Sequence, residues 1–332
     1  MPLFDLPLTE LRQYRPAVAE PDDFDDFWAQ TLAQARGHAL EVRHQDVEAG
    51  LRHVQVRDVT FAGFGGHPIR AWYSRPAGVA ADLPLVVSFL GYSGGRGLPH
   101  EHTLYPSAGY AHLVMDSRGQ GHRNSGGHTP DPVGTTPSKP GFLTRGVHDP
   151  AEYYYRRLFT DAVRAVEAGR TLPGVDPDRV VVAGISQGGA IALAAAALTP
   201  GLAGALVHVP FLQHIRRAVE ITGAAPFVEI ADYLAVHRDR VEQLWRTISY
   251  IDGVNLAKRA HAPVMYSVAM MDTICPPSTV FASYNAYGTA ADEGGSEPVR
   301  KQIEVWEYNN HEGGGGHQEA RDLAWLAELF GR

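Results

Sequence analysis

The sequence contains a single cysteine, Cys275, among 332 residues. One cysteine cannot form an internal disulfide, which excludes the small disulfide-stabilised secreted folds and fits a reducing compartment. The first residues have neither the basic segment nor the apolar core of a secretory signal, so we expect a cytoplasmic location; a mature chain whose signal has already been removed would show the same pattern. The longest apolar run, residues 190–198, is too short to cross a bilayer.

Positive charge is also scarce. The chain has 29 Lys and Arg against 37 Asp and Glu, for a net charge of −8, and no Lys/Arg-rich run interrupts this balance. Nucleic acid is therefore not an expected partner. No Walker-type or dinucleotide glycine motif occurs, nor the helical ligand spacing of a zinc site, so we expect no cofactor and no metal.

What remains is the composition of an ordinary globular protein, with 44% hydrophobic and 20% charged residues. Short apolar runs separated by helical stretches predict buried parallel strands joined by crossover helices. The sequence thus predicts an α/β fold, a mostly parallel sheet flanked by helices. The predicted strands are residues 83–90, 111–115, 180–183, 205–209, 264–268 and 303–306, and the predicted helices are 152–169, 188–198 and 319–330.

The N-terminal third precedes this repeat. An amphipathic helix is predicted over residues 21–36, and alternating runs at 54–61 and 69–73 around a glycine turn predict a hairpin. We interpret these elements as an N-terminal extension and an antiparallel edge of the sheet.

Two later stretches depart from the repeat, and neither resembles a linker between domains. Residues 119–150 are rich in Gly, Pro, Ser and Thr and too long for an ordinary connection, which indicates a functional loop or an interaction arm. Residues 211–253 have helical spacing and predict a helical insertion over the sheet. We therefore expect a single domain over residues 1–332.

The motif Gly184-Ile185-Ser186-Gln187-Gly188 lies between an apolar strand and an Ala-rich helix. This context is typical of a nucleophile elbow, in which glycines allow a tight turn that exposes the serine hydroxyl. The following helix directs its N-terminal N–H groups at negative charge that develops on a substrate. We predict that Ser186 is a nucleophile; the alternative is a glycine-rich turn with an incidental serine.

A serine nucleophile needs a base, and the base needs an acceptor that orients it. In this type of fold the chain order is Ser, then Asp or Glu, then His. Asp272 and His311 each follow a predicted strand at its carboxyl end, where open sheets hold their ligand-facing residues. We predict His311 as the base and Asp272 as its orienting acid. The rivals are His317 for the base, and Asp252 and Asp292 for the acid.

The glycine-rich loop Gly91-Tyr92-Ser93-Gly94-Gly95-Arg96-Gly97 follows the strand predicted at residues 83–90. In this fold such a loop supplies one oxyanion donor, and the residue after the nucleophile supplies the other. We assign the two donors to the backbone N–H groups of Tyr92 and Gln187. The alternative reading of the loop is a simple turn.

Three motifs follow one another along the chain: Arg118-Gly119-Gln120-Gly121, then the motif around Ser186, then His311-Glu312. In these motifs, and in weaker matches along nearly the whole chain, the sequence resembles carbohydrate esterase family 7, the acetyl xylan esterases and cephalosporin C deacetylases. The resemblance implies an α/β-hydrolase fold and a serine carboxylesterase. The family's triad falls on Ser186, Asp272 and His311, and its oxyanion donors fall on Tyr92 and Gln187.

The resemblance also carries expectations about substrate and assembly. It implies acetylated xylo-oligosaccharides and small acetyl esters such as cephalosporin C as substrates, and a homo-oligomer, a hexamer, formed partly through an arm like residues 119–150. Arg118 is expected to tie loops together near the site, with Gln120 and Glu312 as further motif positions. Ile185, where many members carry a small residue, is a departure, as is the stretch 291–296.

Three functions other than an esterase are compatible with the pattern of Ser186, Asp272 and His311. A peptidase or an acyltransferase of this fold uses the same triad, and an inactive binding protein is the alternative that is not an enzyme. Cys275, three positions after Asp272, is interpreted as a packing residue.

Overall fold

The structure, a computed structural model, describes residues 3–123, 125–134, 136, 141–290 and 298–332. Within these residues one sheet of nine strands organises the chain, in the order β1-β2-β3-β5-β4-β6-β7-β8-β9. The strands are β1 (Arg43–Val47), β2 (Val54–Ala62), β3 (Pro68–Pro76), β4 (Leu83–Phe89), β5 (Ala111–Met115), β6 (Val175–Ile185), β7 (Gly204–His208), β8 (Val264–Ala269) and β9 (Lys301–Trp306).

Helices cover the sheet and connect its parallel strands. They are α1 (Leu8–Leu11), α2 (Phe24–Arg36), α3 (Leu104–Ser107), α4 (Tyr154–Gly169), α5 (Gln187–Leu198), α6 (Ile215–Ile221), α7 (Val228–Val236), α8 (Val241–Ser249), α9 (Gly253–Lys258), α10 (Pro277–Ala286) and α11 (Gly315–Leu329). None of the helices in the described residues has the length and apolarity to span a bilayer.

Strands β4 to β9 are parallel, whereas β1, β2 and β3 pair antiparallel and β3 joins β5 antiparallel. The predicted α/β fold, with its N-terminal hairpin and mostly parallel sheet, is confirmed. The parallel arrangement brings the carboxyl ends of β4, β6, β8 and β9 to one edge. The loops that carry the candidate site residues begin at this edge.

The core lies on both faces of the sheet, because successive side chains of a strand point to opposite sides. In β6, Val180 and Val182 belong to the larger apolar cluster, which includes residues of α4 and α5. Val181 belongs to a smaller cluster with Trp325 of α11. Both faces are therefore apolar, as expected for buried parallel strands.

Several elements differ from the sequence predictions. Strand β1 was not predicted, because Arg-His-Gln-Asp-Val at 43–47 is nearly all exposed and has no apolar alternation. Helix α2 begins at Phe24 rather than residue 21, and α11 begins at Gly315 rather than residue 319, so its first turn includes two glycines. Glycine is a poor helix former, which hid this start in the sequence.

The two irregular stretches differ in content. Residues 211–253 contain α6, α7 and α8 between β7 and β8. In residues 119–150 the described part contains no helix or strand, and residues 124, 135 and 137–140 lie outside the described residues. The role of this stretch as an oligomerisation arm stays a prediction.

Candidate active site

Ser186 occupies a strained turn between β6 and α5, with φ 59° and ψ −121°. A positive φ is costly for a residue with a side chain, and such strain concentrates at functional sites. Two glycines make room for the turn. A Cβ atom on Gly184 would lie 2.2 Å from the carbonyl group of Gly188, and one on Gly188 would lie 2.3 Å from the carbonyl oxygen of Phe89. The motif therefore needs glycine at both positions.

The structure brings Ser186, His311 and Asp272 together in one chain of hydrogen bonds. Nε2 of His311 lies 2.9 Å from Oγ of Ser186, and Nδ1 of His311 lies 2.8 Å from Oδ2 of Asp272. The other carboxylate oxygen of Asp272 accepts backbone N–H bonds from Ile274 and Cys275, at 2.8 and 2.9 Å. A carboxylate fixed in this way accepts the Nδ1 proton of His311 and leaves Nε2 to accept the Ser186 proton.

The rival residues lie elsewhere or have other partners. His317 lies in the first turn of α11 beside the ring of Trp306, with centroids 6.3 Å apart. Asp252 is buried and caps helices, accepting N–H bonds from His214, Ile215 and Val254. Burial raises the pKa of Asp252 to about 6. Asp292 lies outside the described residues.

The assigned oxyanion donors flank the nucleophile. The N–H of Gln187 is the first of α5, and Tyr92 lies in the loop after β4 and lines the same cavity as Ser186. Across the described residues, neither N–H donates a hydrogen bond within the protein. Both are therefore free to bind an oxyanion, which is the property that the assigned role requires.

Gln120 links the two oxyanion segments. Its side-chain oxygen accepts the N–H of Ser93 at 2.7 Å, and its side-chain nitrogen donates to Oε1 of Gln187 at 2.9 Å. The Gln187 side chain in turn accepts from the hydroxyl of Tyr155 at 3.1 Å. The sequence marked Gln120 as a motif position, but the contacts that give it a role join residues far apart in the chain.

Arg118 is fully buried and makes a two-pronged ion pair with Asp161 of α4, at 2.5 and 2.7 Å. Burial acts to lower the pKa of the guanidinium, but the charges of Asp161 and Asp131 raise that pKa above its ordinary value. The ion pair ties the loop after β5 to α4. Arg118 contacts neither Ser186 nor His311 through a hydrogen bond.

Glu312 holds the loop that carries His311. Its carboxylate accepts from the Asn309 side chain at 2.7 Å and from the Asn310 N–H at 3.1 Å. The hydrogen bond from Asn309 lowers the pKa of Glu312. Glu312 thus shapes the turn before His311 without facing the nucleophile.

In the described part of the chain, one group of side chains is close enough to share a metal ion: Asp272, Cys275 and His311, with ligand atoms within 4.8 Å of one another. The atoms of Asp272 and His311 already bond each other. Burial raises the pKa of the Cys275 thiol well above its ordinary value, which keeps the thiol in the form that binds metal poorly. These contacts fit a hydrogen-bonded pair beside a buried thiol better than a metal site.

A cavity of about 850 Å³ opens in front of Ser186 and His311. Its wall includes Glu229 of α7, which sequence reasoning missed. Glu229 accepts a hydrogen bond from the hydroxyl of Tyr92 and from the Leu143 N–H, and burial raises its pKa. Nothing in the local sequence marks this glutamate, because its partners come from distant loops. Ile185 also lines the cavity and is 43% exposed.

Known proteins are similar to this chain along nearly its whole length. The family profile described as Acetyl xylan esterase (AXE1) matches residues 1–329. The solved acetyl xylan esterase from Paenibacillus sp. R4 is 37% identical, with 97% of this chain and 99% of that chain covered and a TM-score of 0.89. Acetyl xylan esterase 1 from Thermoanaerobacterium sp. JW/SL YS485 is 32% identical over 98% of this chain and 100% of that chain, with a TM-score of 0.88.

A curated relative is longer than this chain. Acetyl esterase Axe7A of Xylanibacter ruminicola is 26% identical over 307 residues, which cover 89% of this chain and 66% of that protein. The chain thus spans slightly less than two thirds of the length of this relative.

Proposed function

The chain belongs to the acetyl xylan esterase family, whose members are carboxylic ester hydrolases, and from this premise we propose that it removes acetyl groups from acetylated xylo-oligosaccharides and from small acetyl esters such as cephalosporin C. The observation that carries the proposal is the chain of hydrogen bonds from Ser186 through His311 to Asp272 at the cavity. The cavity volume of about 850 Å³ lies in the range that holds small ligands.

The first half of the proposed reaction forms an acetyl-enzyme. His311 Nε2 takes the proton of the Ser186 hydroxyl as Oγ attacks the acetyl carbonyl carbon. The carbonyl oxygen becomes an oxyanion that accepts hydrogen bonds from the N–H groups of Tyr92 and Gln187. When the intermediate collapses, the bond to the alcohol oxygen breaks and His311 returns its proton to that oxygen.

The second half releases acetate. His311 takes a proton from water as the water oxygen attacks the acetyl carbon, and the bond to Ser186 then breaks with return of the proton to Oγ. Asp272 accepts the Nδ1 proton throughout and stabilises the positive charge that His311 carries between proton transfers. The reaction needs no cofactor, because each proton and bond is accounted for by these groups and water.

The test is hydrolysis of p-nitrophenyl acetate, butyrate and octanoate by the wild type and by Ser186→Ala. We expect a preference for acetate and a loss of kcat of at least about 10³-fold in the variant. Ser107→Ala, an exposed serine of α3, is the matched control and keeps its activity. Activity that survives Ser186→Ala would contradict the proposal, and a preference for octanoate would exclude an acetyl esterase.

The natural substrates need a second assay. Acetate release from acetylated xylo-oligosaccharides and from cephalosporin C measures the proposed deacetylation directly. An acyltransferase would instead place the acetyl group on an added alcohol, and a peptidase would cleave a peptide anilide faster than an acetyl ester. Either product pattern would replace the proposed function.

We also propose that the chain forms a homo-oligomer, a hexamer by resemblance, with residues 119–150 as the arm, and that it works in the cytoplasm. Sedimentation equilibrium tests the assembly, with six times the 36.1 kDa chain mass expected for a hexamer. A monomer would contradict the assembly without touching the esterase proposal.

A further inference from the structure

Two arginine side chains line the cavity that holds Ser186 and His311. Arg123 lies in the loop after β5, and its side chain is exposed. Its backbone N–H donates to the Ser93 carbonyl at 3.2 Å. The guanidinium of Arg145 stacks over the ring of Phe142, 4.5 Å from its centroid. The stacking leaves the N–H edge of this guanidinium available for a ligand.

Neither guanidinium makes an ion pair or a side-chain hydrogen bond with another described residue, whereas buried arginines nearby are paired. Arg118 binds Asp161, and Arg157 binds Asp131 at 2.8 Å. Within the described residues no hydrogen bond or ion pair therefore joins either cavity guanidinium to a carboxylate, although the charge of Arg145 acts on Glu229 in the same cavity.

Glu229 is the single carboxyl among the described residues that line this cavity. It is one carboxyl against two guanidinium groups, and it already accepts hydrogen bonds from the Tyr92 hydroxyl and the Leu143 N–H. The cavity thus carries a positive excess although the whole chain has a net charge of −8. A positive cleft in an acidic protein concentrates anionic ligands at that cleft.

We propose that among its acetyl esters this chain prefers those that carry a carboxylate on the alcohol portion, and that Arg123 and Arg145 bind that carboxylate. The inference rests on the proposed esterase function. The acetyl group is neutral, so the negative charge belongs to the part of the substrate that leaves. Guanidinium groups suit this task, because their planar N–H edges match a carboxylate in a two-pronged geometry. The preferred substrates are therefore acetylated hydroxy acids or acidic sugars.

The test compares 4-acetoxyphenylacetate with its methyl ester, two acetyl esters that differ in one negative charge. We measure the ratio of their kcat/KM values in the wild type, Arg123→Gln, Arg145→Gln and the control Arg300→Gln. Arg300 precedes β9 and pairs with Glu328. It lies at the amino ends of the strands, whereas the site lies at their carboxyl ends. Arg300→Gln therefore removes one positive charge, as the cavity variants do, but far from the cavity.

We expect the wild type to favour the anionic ester, and each cavity variant to lower the ratio about tenfold, as for the loss of one charged hydrogen-bond pair. The wild-type ratio falls as salt is added, whereas Arg300→Gln keeps the wild-type ratio. Because both esters are measured on the same preparation, a reduced folded fraction cancels from the ratio. If Arg145→Gln does not fold, Arg123→Gln decides the test alone.

A wild type that favours the methyl ester, or a ratio unchanged in the cavity variants, would overturn the inference and leave the esterase proposal standing. Failure of the wild type to hydrolyse either ester would instead overturn the esterase proposal, and the inference with it.

Discussion

The hydroxyl of Tyr92 lies 2.8 Å from Oε1 and 3.0 Å from Oε2 of Glu229. The Phe142 N–H donates to the same hydroxyl oxygen at 2.6 Å, so the phenol proton points to the carboxyl group. Burial, and then the charge of Glu229, raise the pKa of Tyr92. Helix α7 therefore fixes the side chain of the residue whose backbone N–H we assign to the oxyanion.

This contact predicts a positioning role for Glu229. In Glu229→Ala we expect kcat to fall about tenfold, because the Tyr92 segment loses its anchor and one oxyanion donor is misplaced, and complete loss of such a donor costs about 10²-fold or more. Glu229→Gln keeps an oxygen that accepts from Tyr92 and retains most of kcat. Steady-state kinetics with p-nitrophenyl acetate separate kcat from KM. Equal losses in both variants would argue against positioning through this hydrogen bond.

The buried carboxyl of Asp252 leads us to expect a stability difference between the wild type and Asp252→Asn that depends on pH. Its folded-state pKa of about 6 lies above the ordinary carboxyl value, because burial disfavours the charge. The folded state thus holds the proton more tightly than the unfolded state, and stability is lost as pH rises from about 4 through 6. Asp252→Asn has no such titration.

We therefore expect the free energy of unfolding of Asp252→Asn, relative to the wild type, to shift in favour of the variant by about 1–3 kcal/mol between pH 4 and pH 7. Urea unfolding at the two pH values measures the shift. A relative stability that moves in the opposite direction would show that the folded-state pKa is lowered.

Substitution of Gly184 is expected to impair activity through a steric clash, without removing a catalytic group. In Gly184→Ala the new methyl group meets the Gly188 backbone at 2.2 Å, so the turn that holds Ser186 must distort. We expect a loss of activity above about 10²-fold and a lower unfolding temperature. The control is Gly316→Ala in α11, where a Cβ meets nothing within 4 Å, and alanine stabilises a helix by about 0.5–1 kcal/mol. Normal activity in Gly184→Ala would refute the tight-turn account.

Substitution of the buried Arg118 is expected to lower the stability of the fold. Arg118→Met leaves the fully buried Asp161 without its cation, and removal of one partner from a buried ion pair costs about 3–5 kcal/mol. Chemical denaturation measures this loss. A folded variant with wild-type stability would mean that the pair does not hold the loop to α4.

The sequence predicted those features whose signal is local. Ser186 was recognisable from its flanking glycines between a strand and a helix, and Asp272 and His311 from their places after apolar strands. The hairpin and the parallel strands had clear periodicity. Strand β1 had none, because it lies at an exposed edge with mostly polar residues.

Features that depend on tertiary contacts could not be predicted in this way. Glu229 and Tyr92 are 137 positions apart in the chain, and only the fold makes them partners. The same holds for Gln120 and Gln187, which are 67 positions apart. The position of Arg145 at the cavity is likewise a property of the packed loops, since a sequence does not show which arginines hydrogen-bond a carboxylate.

The central claim is that Ser186 attacks the acetyl group, and mass spectrometry of acid-quenched enzyme tests it most directly. The enzyme is mixed with p-nitrophenyl acetate, quenched within the first turnovers, digested and searched for acetylated peptides. The account predicts an acetyl group on Ser186 that forms with the burst of p-nitrophenol and disappears as substrate is exhausted. An acetyl group on Cys275 or another residue instead of Ser186, formed at the rate of turnover, would contradict it.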